Sequence, residues 1–533
     1  MGGRGETTEW RARVIANDSQ SHYALFMSFP APTRRALLLA TAGTALARPR
    51  PALAQGAALV VSQFSETRDL SAIDPMRSLD FTIPTSLVFD SLIERDAAGH
   101  LVPAIATAWE RTAPTVWRFA IRRDVRFHDG TRLTAADAAA TFAYALDPAN
   151  RSGLRLQTQP VVRAEAPDAA TLLLHTAVPT ALLPQVVGAV PVLQAAQLGA
   201  ADAPFRTRPV GSGPWRMTAW RPGERLEFEA TGTHWAHPTP GFPWITVRAV
   251  PEASTRVADL LSGGAGIAAD IPPALAARVG RGGARLVAQS GTRTQYLSFW
   301  FRPPFDDPRV RRAAYHALDR KALADTVWGE FAEVATGPVP TGYGGHVAAF
   351  PLSDFDPDRS RALLREAGQT TPLPVELDAP PAEITAAQVI QAGMARGGFA
   401  VRINPLDSIG ATFDTRRLTA QGRGRMFVVT ALDNHVHDAV RPYTAFYAET
   451  GFLSTALGWR PQPRLAPLLA AYIEAEGAAK HGASAALLEA AKADMPAVFL
   501  AYPKAVYGVA AGVEMPPNGH GRLDFPSLTP RRA

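Results

Sequence analysis

Trp117-Arg-Phe-Ala-Ile-Arg-Arg-Asp-Val-Arg-Phe-His-Asp-Gly130, followed two residues later by Leu133-Thr-Ala-Ala-Asp137, is the stretch whose reading decides the fold. Val116 to Ile121 alternates apolar with other residues, and that period of two predicts a strand. Asp129-Gly130 suits a tight turn, which makes His128 a structural rather than a catalytic histidine. Thr134-Ala-Ala-Asp137 has capping-box form with Asp in place of Glu, and it opens an Ala-rich helix to about Leu146. A strand, a turn and a capped helix thus follow one another within about thirty residues.

The same grammar extends in both directions. Ala57–Phe64, Arg225–Ala230 and Ile245–Val250 read as strands, and Ser254–Leu261 as a helix closed by Gly263. Tyr296–Phe301 is a strand. Asp307-Pro308 and Asp356-Pro357 each place an N-cap before a proline at the first helical position, starting helices that run to Leu318 and to Gly368. Leu373–Leu377, a helix from Glu383 to Arg396, and Phe399–Ile403 form a β-α-β unit. Met426–Thr430 is an apolar strand, Leu465–Glu476 and Ser484–Asp494 are helices, and Ala497–Tyr502 returns as a strand. Strands and helices alternating on this scale mean α/β lobes with mixed sheets. Trp109, Trp117, Trp215 and Trp235 read as core residues, and the run Arg309, Arg311, Arg312 as a solvated helix face.

The chain has 533 residues, enough for two to four structural units. It has no Cys, which excludes disulfides, thiolate metal sites, Cys nucleophiles and a lipid-modified N-terminal Cys. Its lysines are Lys321, Lys480, Lys492 and Lys504, none after a Gly, so a Walker A loop is excluded. Residues 1–54 hold seven Arg against three acids, and the remainder carries 47 basic and 45 acidic residues. The basic excess therefore sits mainly in the leader and gives no support for a nucleic-acid partner.

Thr33 to Gln55 reads TRRALLLATAGTALARPRPALAQ. Arg34 and Arg35 form a positive region, Ala36 to Ala47 is uncharged, and Ala52-Leu53-Ala54 offers the small residues read by a signal peptidase. This is an export signal, with cleavage expected after Ala54. The pattern resembles a twin-arginine signal, with Leu37 where Phe is usual, so the general secretory route stays open. Met27, seven residues before the arginine pair, is the expected start. A long natural leader is the alternative. Thr171 to Ala201 lacks formal charge, but Pro179, Pro184 and Pro191 interrupt it, which argues for a buried strand and a short helix rather than a membrane span.

No G-x-S-x-G elbow, H-E-x-x-H motif or G-x-G-x-x-G after a strand occurs, which argues against an enzyme. His435-Val-His437, flanked by Asp433 and Asp438, has the spacing of a possible metal pair. A polar loop with histidines bonded to backbone is the simpler reading. His234-x-x-His237 lies in a Pro- and Trp-rich loop and is weaker still.

Taken in order, several segments resemble the large extracytoplasmic solute-binding proteins of ABC importers, family 5, the peptide/nickel-binding type. Leu101-Val-Pro-Ala-Ile-Ala-Thr-Ala-Trp-Glu110 is similar to the family's opening, and Trp117 to Asp137 to its most recognisable stretch. Pro209-Val-Gly-Ser-Gly-Pro-Trp215, Val250-Pro-Glu-Ala-Ser-Thr-Arg256, Pro304 to Ala314 and Asp356 to Gly368 follow in the expected order. The resemblance runs from about Leu59 to Pro503. It implies a two-lobed periplasmic binding protein of type II, with a hinge and an extra subdomain in lobe I. Residues 55–285 plus 495–533 would form lobe I, with the subdomain near 85–205, and residues 286–494 would form lobe II.

By the same resemblance the mature protein is a soluble, monomeric periplasmic receptor without cofactor. It would pass a peptide-like solute to an ABC permease and its ATPase subunits. Asp433 stands where peptide binders hold the ligand's α-ammonium, without the neighbouring aromatic and Pro of the family. The dipeptide type carries an Arg after the strand matching Leu373–Leu377. Here Asp378-Ala-Pro-Pro-Ala-Glu383 has none, and Trp300 replaces a usual Asn. Asp433, Trp300, Tyr443 and His435 are the expected ligand contacts. A metal-chelate receptor using His435 and His437 is the near alternative, and a periplasmic hydrolase the remote one.

Overall fold

The computed structural model of the chain describes residues 58–63, 75–76, 82–156, 158, 161–188, 190–199, 204–406, 424–434, 436–519 and 521–531. The expected export signal, the Met27 start and the cleavage point near Ala54 lie outside these residues.

Among the described residues, two large mixed sheets carry two separate cores. The first sheet has the spatial order Arg285–Gln289, Ala505–Val509, Ile267–Ala268, Ala58–Gln63, Trp244–Ala249, Arg225–Ala230 and Trp215–Arg221. Ala58–Gln63 runs parallel to both its neighbours, and the other pairs are antiparallel. The second sheet has the order Ala332–Val334, Ala497–Pro503, Arg293–Phe299, Arg425–Asp433, Leu373–Ala379 and Phe399–Pro405. Its last three strands are parallel to one another, and helix Ile384–Arg396 makes the expected crossover. One core gathers Leu59, Phe119, Phe142, Phe228 and Val509, the other Leu297, Leu377, Ile390, Met426 and Phe499. Two cores in one chain mean two lobes.

The stretch read first builds the subdomain of the first lobe. Val116–Ile121 points Trp117, Phe119 and Ile121 inward while Arg118 and Ala120 stay exposed. Burying Phe119 completely contributes about 1.5–3 kcal/mol. This strand lies inside a four-stranded sheet with Ala106–Ala113, Thr171–Thr176 and Val161–Asp168. Helix Ala135–Leu146 starts as the sequence predicts: the Asp137 carboxylate accepts from the Thr134 backbone N–H at 2.9 Å. His128 ties the turn to Gly213, its Nε2 lying 3.0 Å from that carbonyl oxygen. Gly211 is obligatory here, because a Cβ would stand 1.8 Å from the Val88 carbonyl oxygen. Trp117 and Trp215 are buried, whereas Trp109 and Trp235 are half-buried at the edge of the core. The uncharged stretch from Thr171 folds as a strand followed by the short helices Leu183–Val187 and Ala195–Leu198. No helix among the described residues is long and apolar enough to cross a membrane.

Two elements differ from expectation. Arg311 is buried, not solvated: its guanidinium donates to the carbonyls of Phe305, Asp306, Asp494 and Met495. Helix Pro308–His316 packs against the chain on both sides at that position, and carbonyls rather than water satisfy the charge. Strand Ala497–Pro503 pairs in the second sheet, so the chain leaves that sheet at Lys504, beyond the expected break between 494 and 495. An apolar strand reads alike in either lobe, and only its pairing assigns it.

The chain passes between the sheets twice, at Ser290–Thr292 and at Lys504. The two passages touch. A Cβ on Gly291 would lie 1.8 Å from the Pro503 carbonyl oxygen, so only glycine lets them run this close. Two short connectors side by side between rigid lobes make a hinge.

Candidate functional site

In the second sheet the three parallel strands and Ala497–Pro503 all end toward the hinge, and Arg293–Phe299 begins there. Crevices at the carboxyl ends of parallel strands are where open α/β sheets place ligands. Arg425–Asp433 projects furthest and leads into a turn described at Asn434 and at 436–438.

That turn is held from many sides. The Asn434 N–H donates to the Thr292 carbonyl at 2.9 Å, which ties the turn to the hinge. The His437 N–H donates to the Asn434 carbonyl, and the Gly344 N–H to the His437 carbonyl at 3.0 Å. His437 has φ +56° and its ring stacks on Tyr343 at 4.5 Å. Asp438 is buried and accepts from Tyr472 Oη at 2.7 Å, from the Val440 N–H at 2.9 Å and from Lys480 Nζ. Burial, and then the negative charge of Asp438, push the Tyr472 hydroxyl far above its ordinary value.

One side chain in this fixed turn stands apart. Asn434 is only 2% exposed, yet neither its Nδ2 nor its Oδ1 has a hydrogen-bond partner among the described residues. An unsatisfied buried amide costs about 1–3 kcal/mol for each group, so its presence asks for a reason.

The first lobe reaches the same turn. Arg95, in strand Ile93–Arg95, donates to Gly99 O at 2.8 Å within its own lobe and to Val436 O across the cleft. Burial, partly offset by Asp438 and Tyr343, lowers the Arg95 guanidinium to about 10. The lobes also meet at Arg111 and Glu476, 3.4 Å apart, and through Leu182, which joins the second lobe's core. They are therefore in contact around a cleft floored by the hinge.

Glu94, beside Arg95, is exposed to water and nevertheless deeply surrounded by protein, the condition of a side chain in a recess. Desolvation, followed by the charges of Asp90 and Asp524, raises its carboxyl to about 8. Asp90 itself is buried, 3.1 Å from His234 Nε2, and accepts from Ser212 Oγ and Trp235 Nε1. His234 thus completes a structural network, stacked on His237 at 5.3 Å.

The structure scatters the residues expected from sequence. Asp433 ends its strand opposite Arg293, at the hinge side of the sheet, and the structure describes its backbone only. His435 lies outside the described residues. His437 is committed to Tyr343, and among the described residues no group of three or more His, Cys, Asp or Glu stands together as a metal site. Tyr443 is wholly buried beneath the turn, its hydroxyl bonded to Gly345 O at 3.2 Å and to Ser484, so it supports the turn instead of walling the cleft. Trp300 sits at the opposite end of the sheet, where its N–H donates to Arg425 O at 3.0 Å. Six residues at about 3.3 Å each put it roughly 20 Å from the Thr294 end. A recess of about 810 Å³ opens at that far end too, lined among others by Pro303, Asp307, Arg309 and Pro374, with no first-lobe residue in its wall. Asn434, Arg95 and Glu94 were not foreseen. Their signal is spatial, since they come from segments more than 300 residues apart in the chain.

The profile of the bacterial extracellular solute-binding proteins, family 5 (middle), matches residues 100–452, well over half of the chain. The chain belongs to that family. Members are binding proteins. The glutathione-binding protein GsiB of Salmonella choleraesuis is 28% identical to this family 5 protein over 347 residues, 63% of this chain and 64% of the relative. The match therefore spans just under two-thirds of the relative's length. The structure of AgaA from A. tumefaciens R10, in complex with agropinic acid, superposes with TM-score 0.76 and 22% identity, covering 89% of this chain and 99% of AgaA. DppA from Helicobacter pylori, in complex with peptide STSA, superposes with TM-score 0.77 and 19% identity, over 89% and 98% of the two chains. These likenesses show the two-lobed binding-protein fold.

Proposed function

We propose that this family 5 protein is a periplasmic receptor that captures a peptide or peptide-like solute between its lobes and delivers it to an ABC import permease. The observation that carries this reading is the convergence on one cleft of two close-packed connectors, a rigid turn with an unsatisfied amide, and a first-lobe arginine reaching that turn. Such a molecule needs no chemistry of its own. A solute that bonds both lobes favours the closed arrangement over the open one, and the closed arrangement is what a permease reads. In this reading residues 1–54 are an export signal, the mature protein is a soluble monomer, and ATP is hydrolysed by separate subunits. Asp433, at the carboxyl end of its strand, takes the solute's ammonium group, as in the peptide binders the sequence resembles. The lobes divide at Ser290–Thr292 and Lys504, with the subdomain in the first lobe.

The test is calorimetric titration of the mature protein with di- to pentapeptides and glutathione, alongside X-ray scattering to follow closure. A solute at a hundred times its Kd adds about 2.7 kcal/mol of stability, a visible rise in melting temperature. Binding that contracts the particle and weakens in Asp433→Ala supports the reading. Turnover of any of these compounds would contradict it.

A further inference from the structure

Asn434 spends both of its main-chain groups inside the protein. Its N–H donates to the Thr292 carbonyl and its carbonyl accepts from the His437 N–H, each at 2.9 Å. Its side-chain amide uses neither end, although the residue is buried. The polar groups that hold the turn have their partners without it. Asp438 is taken by Tyr472, Lys480 and the Val440 N–H, Tyr443 Oη by Gly345 and Ser484, and the His437 ring lies against Tyr343. Two residues beyond Asn434, the Val436 carbonyl receives Arg95 from the first lobe. Asn434 is thus bracketed by a bond to the hinge on one side and a bond to the opposite lobe on the other, which places it at the cleft between them. An unpaired amide in so fixed a setting specifies its partner. Nδ2 offers hydrogens and Oδ1 offers lone pairs, side by side in one plane. A carboxylate only accepts and would strand Oδ1, whereas an ammonium only donates and would strand Nδ2. A residue of an extended peptide satisfies both. Its own N–H and C=O point to the same edge of the chain, as they do where antiparallel strands exchange a pair of bonds.

We propose that Asn434 binds the main chain of an extended peptide, Nδ2 donating to the carbonyl oxygen of one residue and Oδ1 accepting from the N–H of that same residue. This deepens, and rests on, the receptor reading above. It makes the solute a peptide read at this point through its backbone, not through its side chains. Main-chain bonds of this kind give affinity, and specificity is left to whatever surrounds the side chains. The turn is fixed by its own bonds before a solute arrives, so little ordering remains to be done when the amide is engaged. The unliganded protein carries two bare polar atoms in a buried place, and the solute removes that penalty on binding. Closure of the first lobe over the turn keeps water from competing for the same atoms.

The experiment is calorimetric titration of wild type and Asn434→Leu with tetra-alanine and with its depsipeptide analogues, in each of which one peptide N–H is replaced by an ester oxygen. In wild type one replacement should weaken binding about five- to a hundredfold more than the others, because it strands Oδ1. Asn434→Leu should bind tetra-alanine more weakly and treat all the analogues alike. Melting of the unliganded variant establishes that it folds, and Asn434→Ala carries the comparison if it does not. A merely structural role for the amide would lower every affinity together and leave the dependence on ester position in place. That outcome, or equal sensitivity of wild type to every replacement, overturns the proposal while the receptor reading stands. If neither tetra-alanine nor glutathione binds wild type, the peptide reading fails and the proposal falls with it.

Discussion

Asp438→Asn should be among the most damaging single changes at the cleft. The wild-type carboxylate is almost fully buried, and Lys480, its partner, is only 14% exposed at the side chain. Neutralising Asp438 leaves the Lys480 ammonium unpaired in a poorly solvated place and weakens the acceptors for Tyr472 Oη and the Val440 N–H. Breaking one side of a buried pair costs about 3–5 kcal/mol, and Lys480's residual access to water favours the lower end. For a lobe of this size, about 3 kcal/mol corresponds to a fall of roughly 6–12 °C in melting temperature. Urea denaturation of wild type, Asp438→Asn, Lys480→Met and the double variant measures the pair directly. The double variant should be less destabilised than the sum of the single ones by about 2 kcal/mol or more, because Lys480→Met removes the stranded charge. Strict additivity, or a cost under about 1 kcal/mol for Asp438→Asn, would refute the claim that this ion pair holds the turn.

Other consequences can be checked with the same preparations. Asn434→Leu keeps the shape but removes two unsatisfied polar atoms, so unliganded stability in urea should hold or rise by about 1 kcal/mol, while solute affinity falls. A clear loss of unliganded stability would mean the amide has a structural partner. Gly291→Ala should destabilise by about 2 kcal/mol or more and weaken solute binding, because the new methyl group forces the two hinge passages apart. Wild-type melting points without solute would contradict this. Glu94 has its carboxyl raised from 4.5 to about 8, so the folded state binds the proton more tightly than the unfolded one. Its contribution is present below pH 4.5 and is lost as pH rises toward about 8. Because water reaches the group, the effect is smaller than the full shift implies. The stability–pH curve of Glu94→Gln should be flatter than wild type between these values, and an unchanged slope would argue against the recess.

What the sequence made legible was what neighbours in the chain decide. Asp307 and Asp356 cap their helices as expected, accepting from the N–H groups of Arg309 and Arg359 at 2.7 and 2.8 Å, because capping needs only the next two or three residues. Leu373–Ala379, Ile384–Arg396 and Phe399–Pro405 form the expected β-α-β unit for a similar reason. Direction and partnership were not legible. Trp300 directly follows strand Arg293–Phe299, whose polarity carries it away from the hinge. Arg311 looked like one of three solvated arginines until the loop at 494–495 closed over it. Arg95 and the turn it bonds come from positions 95 and 434–438, and only the two-sheet topology brings them together.

The two passages also set an order of assembly. The second lobe is an insertion between residues 290 and 503 of the first, and its six strands are contiguous in the chain. The first lobe is not: Ala505–Val509 sits between Arg285–Gln289 and Ile267–Ala268, and each of those strands pairs with it. Until Ala505–Val509 emerges, Arg285–Gln289 has no neighbour in its sheet. A growing chain can thus complete its second lobe while the first still presents an open edge, which strand Ala505–Val509 then closes.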